Sequence, residues 1–434
     1  MKTLSKQNKS TLLFIVPTWI LCFSIVTPVA AQSFALQVDS LKNGFQNDFQ
    51  IEKLSEKSLG EDSEFTVKEV SPYPEYQLNG YLKYLPSYRK SPSFENAFFD
   101  QLLHNRFNLR ANFNEKWTAY GSLRTRFFIG SSVKEFPFFK DFLEEDFGFF
   151  NISKVLWSGN NFMLHSTIDR FFTEYRTDKW QVRIGRQRIN WGINLVSNPN
   201  DLFNTYSFFD FDYEERPGTD AIRVSYFTGD LSRIEFAVAP GRTKKESVAA
   251  VYYSLNHRGY DLQFISGYFK DRWTGGFGWA GSIKDTGFKG EFSYFRDLNP
   301  IPGREAGNFV VSTSVDHMFG NGIFLVVEYL YNQPRKGSEQ NVLLLTRPLQ
   351  ADNLSFTDHS VFVQGTYPIS PILNAGLAGF YYPTDPAVFI SPSFTGNVLE
   401  NLDLLLIGQF FVGGSGSIFE EAGSLIAAAL KWSF

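Results

Sequence analysis

The sequence predicts an all-β fold, a single transmembrane antiparallel β-barrel of about 18 strands, with 16 strands as the alternative. Three observations predict it: the alternating pattern of the final strand, a series of similar segments before it, and the lack of long apolar runs. The chain has 434 residues, of which 17% are aromatic and 20% charged. After the first 31 residues, no stretch reaches the roughly 18 consecutive apolar residues of a membrane helix. A closed barrel is the other structure that satisfies all backbone polar groups in lipid.

The chain ends in a strand with two different faces. Because side chains alternate along a strand, every second residue from Ile426 to Phe434 falls on one apolar face. That face consists of Ile426, Ala428, Leu430, Trp432 and Phe434. An apolar outer face and a terminal Phe resemble the last strand of bacterial outer-membrane barrels. The resemblance implies that the barrel-assembly machinery recognises this strand through Phe434, and that outer-membrane lipid surrounds the barrel.

The first 31 residues have the pattern of a cleaved secretion signal. Three lysines among the first nine residues precede an apolar stretch at 11–26, and Val29, Ala30 and Ala31 provide small residues for cleavage. The single cysteine, Cys22, lies within this signal, so the exported chain is predicted to have no thiol, disulfide or Cys-based metal site.

Three regions are therefore predicted: the signal peptide (1–31), a periplasmic extension or plug (32–76) and the barrel (77–434). The net charge is −4 and becomes −7 when the three signal lysines are removed. Nothing in this charge balance suggests a nucleic-acid partner.

From residue 77 onward, alternating segments of about ten residues are separated by turn residues, as in transmembrane barrels. The predicted strands lie near 77–85, 104–113, 117–128, 160–175, 179–189, 219–229, 231–240, 247–257, 259–270, 273–284, 287–297, 308–319, 322–332, 359–369, 372–382, 387–398, 402–412 and 423–434. Every second connection is short, whereas the intervening ones include 86–103, 130–159, 190–218 and 333–358. In such barrels the short turns are periplasmic, so both ends of the barrel are predicted to lie in the periplasm.

The same alternation predicts which side chains line the lumen. A charge on the lipid face costs about 2–4 kcal/mol near the midplane, so the charged residues of the early strands are assigned to the inner face. The predicted pore-lining residues are Arg106, Arg110, Arg124, Arg126, Arg183, Arg223, Arg233 and Glu235. Guanidinium groups suit carboxylates and phosphates. The alternative is that these arginines pair with lumen acids such as Asp169 and Glu235.

Two long loops carry acids among phenylalanines. The candidate acids are Glu144, Glu145 and Asp146 in the first loop (136–150), and Asp210, Asp212, Glu214 and Glu215 in the second (208–218). If either loop folds inward, its acids face the arginines, and facing charges select ions and orient polar solutes. The alternative is an external aromatic loop that packs on itself. Composition does not decide which loop enters the lumen.

One segment carries a family resemblance. The run I-G-R-Q-R-I-N-W-G at 184–192, followed by N-P at 198–199 and R-P-G at 216–218, resembles alginate-export-type and related substrate-specific Gram-negative porins. The resemblance implies a monomeric channel with this segment in or over the pore. It makes the following residues candidates for a constriction: Arg186, Gln187, Arg188, Trp191 and Asn198. The second half of the wall has fewer basic positions, which argues against a polyanionic substrate such as alginate.

The sequence predicts no catalytic residue, no metal site and no cofactor. The five histidines are scattered without H-E-x-x-H spacing. The pattern G-x-G-x-x-G at 276–281 lies in a segment of period two, without the strand-then-helix context of a dinucleotide site. The predicted function is a porin-like channel, not an enzyme, for small polar or anionic solutes or oligosaccharides. Two alternatives remain: a plugged barrel that transports hydrophobic molecules, and a non-conducting scaffold for envelope assembly.

Overall fold

The structure, a computed structural model, describes residues 73–146, 148–205, 208–209, 212, 218–303, 305–334 and 349–434. The predicted signal peptide, residues 32–72 of the extension, and the loop acids Asp210, Glu214 and Glu215 lie outside the described residues.

The described chain is built almost entirely of β-strands. They are β1 (Glu75–Lys90), β2 (Phe98–Asn112), β3 (Trp117–Gly130), β4 (Ser153–Ser158), β5 (Phe162–Arg176), β6 (Trp180–Gln187), β7 (Thr219–Gly229), β8 (Ser232–Ala239), β9 (Val248–His257), β10 (Tyr260–Phe269), β11 (Arg272–Ile283), β12 (Thr286–Asp297), β13 (Gly307–Met318), β14 (Phe324–Asn332), β15 (His359–Ser370), β16 (Leu373–Tyr382), β17 (Ala387–Leu399), β18 (Leu402–Gly413) and β19 (Ser424–Ser433). Two short helices, α1 (Ser131–Glu135) and α2 (Phe139–Glu144), follow β3, and a 3-10 turn spans Lys244–Glu246. Among the described residues, no helix is long and apolar enough to cross a membrane.

Eighteen strands, all except β4, form one closed antiparallel barrel. The first strand pairs with the last, so that Tyr84 lies opposite Leu430. At the end of this seam, Gly80 and Phe434 exchange two backbone hydrogen bonds, of 2.9 and 3.0 Å. A side chain at Gly80 would place its Cβ 2.1 Å from the carbonyl oxygen of Arg106, which explains the glycine. The prediction of an all-β barrel with 18 strands is confirmed.

The short strand β4 was not predicted. It pairs with the half of β5 that lies away from the short turns, inside the stretch 130–159 that the sequence assigns to a loop. Its alternating pattern covers six residues, which is too short to stand out against the neighbouring phenylalanines.

The outer face of the wall is apolar. Ile184 on β6 and Ile222 on β7 lie opposite each other, and their exposed fractions are 48% and 49%. Towards the short turns, paired aromatic rings form a belt, for example Trp180 with Tyr226, whose ring centroids are 4.7 Å apart. An apolar band bounded by aromatic residues is the surface that a transmembrane barrel presents to lipid. Strand ends and turn lengths place both barrel ends on the short-turn side, as predicted.

Deletion of Phe434 is expected to weaken barrel closure, because it removes both backbone bonds to Gly80 and the ring contact with Trp432. The expected loss in free energy of unfolding is about 3 kcal/mol, measured by urea titration of the refolded barrel in phospholipid vesicles. Phe434→Tyr keeps both sets of contacts and serves as the control. Equal stability of the deletion and the control would contradict the role of this seam.

Candidate functional site in the barrel lumen

The segment that follows β6 turns into the barrel, and we call its described residues, 188–205, 208–209 and 212, the crossing segment. It begins at the half-buried Arg188. The indole of Trp191 donates a hydrogen bond to Glu235 of β8, and its ring stacks on Tyr252 of β9 at 5.3 Å. The Trp191 carbonyl accepts a hydrogen bond of 2.9 Å from the amide of Gln263 on β10. Trp191 therefore anchors the start of the segment to three consecutive strands.

Two fully buried carboxylates hold the middle of the crossing segment. Glu291 of β12 and Glu328 of β14 point inward and accept backbone N–H groups. The donors are Ile193, Asn194 and Asn200 for Glu291, and Val196 and Ser197 for Glu328. A buried carboxylate is costly unless it is hydrogen-bonded. These bonds therefore provide donors for the carboxylates of the wall and acceptors for the backbone N–H groups of the segment.

Neither glutamate was predicted from the sequence. Glu328 is the lone acid on the inner face of β14, and Glu291 shares the inner face of β12 with Lys289 and Asp297. The local sequences are G-E-F at 290–292 and V-E-Y at 327–329. That pattern was available as a signal, because an inward acid in mid-strand needs a partner.

Further along, the crossing segment enters an aromatic part of the lumen. The centroids of Phe208 and Phe362 on β15 are 4.9 Å apart, and those of Phe209 and Phe389 on β17 are 5.0 Å apart. The amide of Gln409 on β18 donates to the Phe209 carbonyl at 3.2 Å. Further rings of the same cluster belong to Phe380, Phe411 and Phe419. The described part of the second loop therefore folds inward.

The described part of the crossing segment ends at Asp212, against the first strands of the barrel. The Asp212 carboxylate lies 2.5 Å from the ammonium group of Lys83 on β1 and 3.3 Å from the ring of His104 on β2. The hydroxyl of Tyr81 lies 3.2 Å from the other ring nitrogen of His104. With Trp191 bound to β8–β10 and Asp212 bound to β1–β2, the segment spans the lumen from side to side.

Three predicted arginines lie on β2 and β3, beside the buried Asp169 of β5. Together with the other predicted arginines, we call them the arginine wall. Arg106 and Arg124 lie 3.1 and 2.8 Å from the two carboxylate oxygens of Asp169. Arg126 approaches Nδ1 of His165 at 3.4 Å. The predicted alternative, in which arginines pair with Asp169, describes the first two of these contacts.

The remaining predicted arginines lie on β6 to β8. Nε and Nη2 of Arg183 both donate to the same carboxylate oxygen of Glu174, Oε2. Arg223 and Arg233 lie 4.0 and 3.8 Å from Glu235, which also binds Trp191. The crossing segment and the arginine wall therefore share one carboxylate.

Burial differs along the height of the arginine wall. The side chains of Arg106 and Arg124, in the middle of their strands, are only 2% and 6% exposed. Arg233 is 35% exposed and Arg110, near the short-turn end of β2, is exposed. The arginine wall is thus covered by other groups at mid-height and exposed towards the periplasmic end.

A bulge adds an arginine that the alternation does not predict. Ser122 pairs with Arg170 while Leu123 pairs with Ile168, so Asp169 is an extra residue in β5. Asp169 and Arg170 are both buried as a result. A strict period of two assigns Arg170 to the lipid face, and this is the reason it was missed.

Arg186 binds the first loop to the wall. Its guanidinium donates to both oxygens of Asp220 on β7 at 2.9 and 2.7 Å, and to Asp146 at 2.7 Å. It also donates to the carbonyl of Phe150 at 2.6 Å. Arg186 and Asp146, both predicted near a constriction, are brought together here at the rim of the wall.

The other two acids of the first loop lie beside β4. Glu144 accepts a 2.9 Å hydrogen bond from the backbone N–H of Val155. Burial raises the pKa of Glu145, and the charge of Arg242 partly opposes that rise. These acids contact the rim of the barrel, not the arginine wall.

Two side-chain amides of the segment that resembles substrate-specific porins, Gln187 and Asn198, are buried. The Gln187 amide donates to the carbonyls of Ala221 and Arg183 at 3.0 and 3.1 Å. Asn198 packs against Gly192, where a Cβ would lie 2.4 Å from the Asn198 Oδ1. The W-G and N-P elements of the sequence therefore pack together inside the lumen.

A serine of β4 and a histidine of β5 meet across these two paired strands. The hydroxyl of Ser153 lies 2.7 Å from Nε2 of His165. The same hydroxyl donates to the Leu143 carbonyl at 2.8 Å, and the other ring nitrogen faces Arg126. A guanidinium cannot stabilise an imidazolium, so this pair lacks the charge arrangement of a catalytic triad.

The fold is similar to that of solved outer-membrane proteins. A BenF-like porin from Pseudomonas fluorescens Pf-5 has a TM-score of 0.53 at 10% identity, covering 83% of this chain and 98% of its own. OccAB4 of Acinetobacter baumannii has a TM-score of 0.52 at 10% identity, and the match covers 83% of this chain and 98% of OccAB4. The outer membrane protein OpdK of Pseudomonas aeruginosa has a TM-score of 0.51 at 10% identity, and the match covers 82% of this chain and 99% of OpdK. No protein-family model and no curated protein matches the sequence. The chain has the fold of Gram-negative outer-membrane porins.

Glu291→Ala is expected to loosen the crossing segment, because three buried N–H groups lose their acceptor. At about 1 kcal/mol or more for each group, amide hydrogen exchange at Ile193, Asn194 and Asn200 is expected to accelerate by roughly 100-fold. The matched control is Glu400→Ala, in an exposed turn. If exchange at these amides is the same in both variants, Glu291 does not hold the segment.

Proposed function

We propose that this protein is a channel of the Gram-negative outer membrane for small polar or anionic solutes, including oligosaccharides. The observation that carries the proposal is the crossing segment, which spans a porin-type barrel and is anchored at mid-strand residues on all sides. Its anchors include Glu235, Glu291, Glu328 and Lys83. A segment held across the lumen narrows an otherwise wide barrel and selects what passes.

The charge of the wall supports solutes that carry a negative charge or many hydroxyl groups. Seven guanidinium groups lie around three carboxylates, those of Asp169, Glu174 and Glu235. The guanidinium groups belong to Arg106, Arg124, Arg126, Arg170, Arg183, Arg223 and Arg233. Arginine remains charged throughout the physiological pH range, so the wall keeps an excess of positive charge that attracts anions.

We extend the proposal to assembly. Phe434 directly follows the last strand and binds the first, a position that suits recognition of the last strand by the barrel-assembly machinery. We also propose that the protein is a monomer, because the strands of a single chain close the barrel.

A second candidate function rests on the aromatic part of the lumen. Phe208 and Phe209 extend a cluster of inward rings on β15 to β18, and such a surface suits an apolar solute. In this alternative, the barrel transports hydrophobic molecules along the cluster and conducts ions poorly.

Single-channel recording of the refolded protein in a planar bilayer distinguishes the polar-solute channel from the transporter of hydrophobic molecules. Under the leading proposal, steady openings are expected, and the reversal potential in a salt gradient is expected to show anion preference. A correctly folded but silent barrel would contradict the leading proposal and favour apolar transport or a scaffold.

Replacing Arg124 and Arg126 together by Ser is expected to shift the permeability ratio towards cations by roughly two- to fivefold, which corresponds to about 0.4–1 kcal/mol in total for the two charges when salt screens them. Arg110→Ser, in the exposed end of the lumen, is the matched control and is expected to cause a smaller shift. The reversal potential provides the measurement. An unchanged value in the double variant would show that these side chains do not set selectivity.

A further inference from the structure

An arginine faces the lipid side of the barrel at one end of β12. Glu291 and Ser293 are buried on the inner face of this strand, so alternation assigns Arg296 to the outer face, where it is exposed. The other outer-face residues of β12 carry no charge: Thr286, Phe288, Gly290, Phe292 and Tyr294. A cation on the outer face is costly at the bilayer midplane and costs little near the interface.

The length of β12 places Arg296 at the membrane boundary. The strand has 12 residues, and at a rise of about 3.4 Å per residue and a tilt of about 45° it spans roughly 29 Å. The apolar band of such barrels is about 25 Å tall, so the two ends of β12 lie at its two edges. β12 begins after the short turn at 284–285, and Arg296 therefore lies at the opposite edge, which is the external one in outer-membrane barrels.

Aromatic rings surround the arginine at the same height. Trp273 of β11 lies directly opposite Arg296 and is 45% exposed. Its ring centroid lies 6.4 Å from that of Tyr294, and Tyr268 of β10 lies opposite Trp273 on the other side. Such rings form the interfacial belt of a transmembrane barrel, so Arg296 lies at the depth of the lipid head groups.

Two glycines allow the rings to lie close to the wall. A Cβ at Gly275 would lie 2.8 Å from the Trp273 ring, and a Cβ at Gly307 would lie 2.6 Å from the Tyr294 hydroxyl. Gly307 is the cross-strand partner of Arg296. The Tyr294 hydroxyl therefore lies beside the strand position of Arg296, and a phenol and a guanidinium group can donate to one acceptor there.

The donors of this pair are not used within the described part of the chain. There, Arg296 forms no ion pair, and neither Arg296 nor the Tyr294 hydroxyl forms a hydrogen bond. Asp297 points inward and binds Arg272 at 2.9 Å. Asp271 accepts a hydrogen bond of 3.1 Å from the amide of Asn299. Both donors are therefore available to an acceptor outside the chain.

Two lysines add positive charge beside this group. Lys244 and Lys245 are exposed in the 3-10 turn between β8 and β9. The Tyr268 hydroxyl donates to the Lys244 carbonyl at 2.8 Å, so Tyr268 connects this turn to the row that contains Arg296. The acid of the turn, Glu246, accepts backbone N–H groups of the preceding residues. The lysines thus extend the positive charge along the external edge of β9 to β12.

We propose that Arg296 and Tyr294 bind the phosphate of a phosphorylated lipid in the external leaflet, whose acyl chains lie along Trp273 and Phe292. The planar guanidinium fork matches phosphate oxygens, and the phenol hydroxyl supplies a further donor. Lys244 and Lys245 attract anionic lipid to this side of the barrel. The site lies on the outside of the wall and does not depend on whether the lumen conducts.

The test measures which lipids reside at this site. The protein is refolded in phosphatidylcholine vesicles that contain either phosphatidic acid or phosphatidylcholine with the same diazirine-bearing acyl chain. After illumination, mass spectrometry counts adducts on Trp273 and Phe292. The internal reference is Tyr88 with Phe99, a lipid-facing pair on β1 and β2 whose side chains are 48% and 52% exposed.

The ratio of phosphatidic acid adducts to phosphatidylcholine adducts is expected to be at least about fivefold higher at the site than at the reference pair. Arg296→Gln is expected to remove this enrichment, whereas Arg296→Lys keeps the charge, loses the fork and is expected to retain part of it. The matched control is Lys284→Gln, in the exposed turn at the other end of β11 and β12, and it is expected to change nothing. Equal ratios at the two places, or enrichment that survives Arg296→Gln, would overturn the site.

Two further measurements distinguish a lipid phosphate site from attraction by charge alone and from a site for soluble anions. Tyr294→Phe keeps the ring, removes the donor and is expected to lower the enrichment about twofold; an unchanged ratio would contradict the role of the hydroxyl. Inorganic phosphate in large excess, at constant ionic strength, is expected to leave the ratio unchanged. Loss of enrichment in its presence would assign the site to a soluble anion and contradict the lipid. Far-UV circular dichroism checks that each variant is folded before labelling.

Discussion

Backbone polar groups have no water to bind inside a bilayer, and this constraint governs the architecture of the chain. Each strand must pair on both sides, and closure between β1 and β19 completes the ladder. The same constraint acts on the interior, where the crossing segment has no strand to pair with. Glu291 and Glu328 replace the missing strand by accepting five of its N–H groups.

The strands could be predicted from the sequence because alternation and turn residues are local properties. The 18 predicted strands correspond to the strands of the closed barrel, since lipid on one side and polar contacts on the other impose a period of two over many residues. The exceptions have local causes: β4 is too short to show the period, and the bulge at Asp169 shifts the phase of Arg170 by one residue.

The contents of the lumen could be predicted only in part. Phase assigns Arg106 and Arg124 to the inner face, but their common partner Asp169 lies on another strand, and sequence pattern alone gives no distance between strands. The inward course of the crossing segment depends on contacts such as Ser197 with Glu328, which are 131 residues apart. An aromatic acidic loop has the same composition whether it folds inward or outward. Only the structure shows which wall residues the loop contacts.

The separation of these partners also has a consequence for the order of folding. Phe209 meets Gln409 across 200 residues of chain, and Asp212 meets Lys83 on the first strand. The surface that receives Phe209 and Asp212 is complete only once the last strands have joined the first. High sequence separation makes such contacts slow to form. We therefore expect the end of the segment to dock late, into a wall that is already closed, after a stage in which this side of the lumen is still empty.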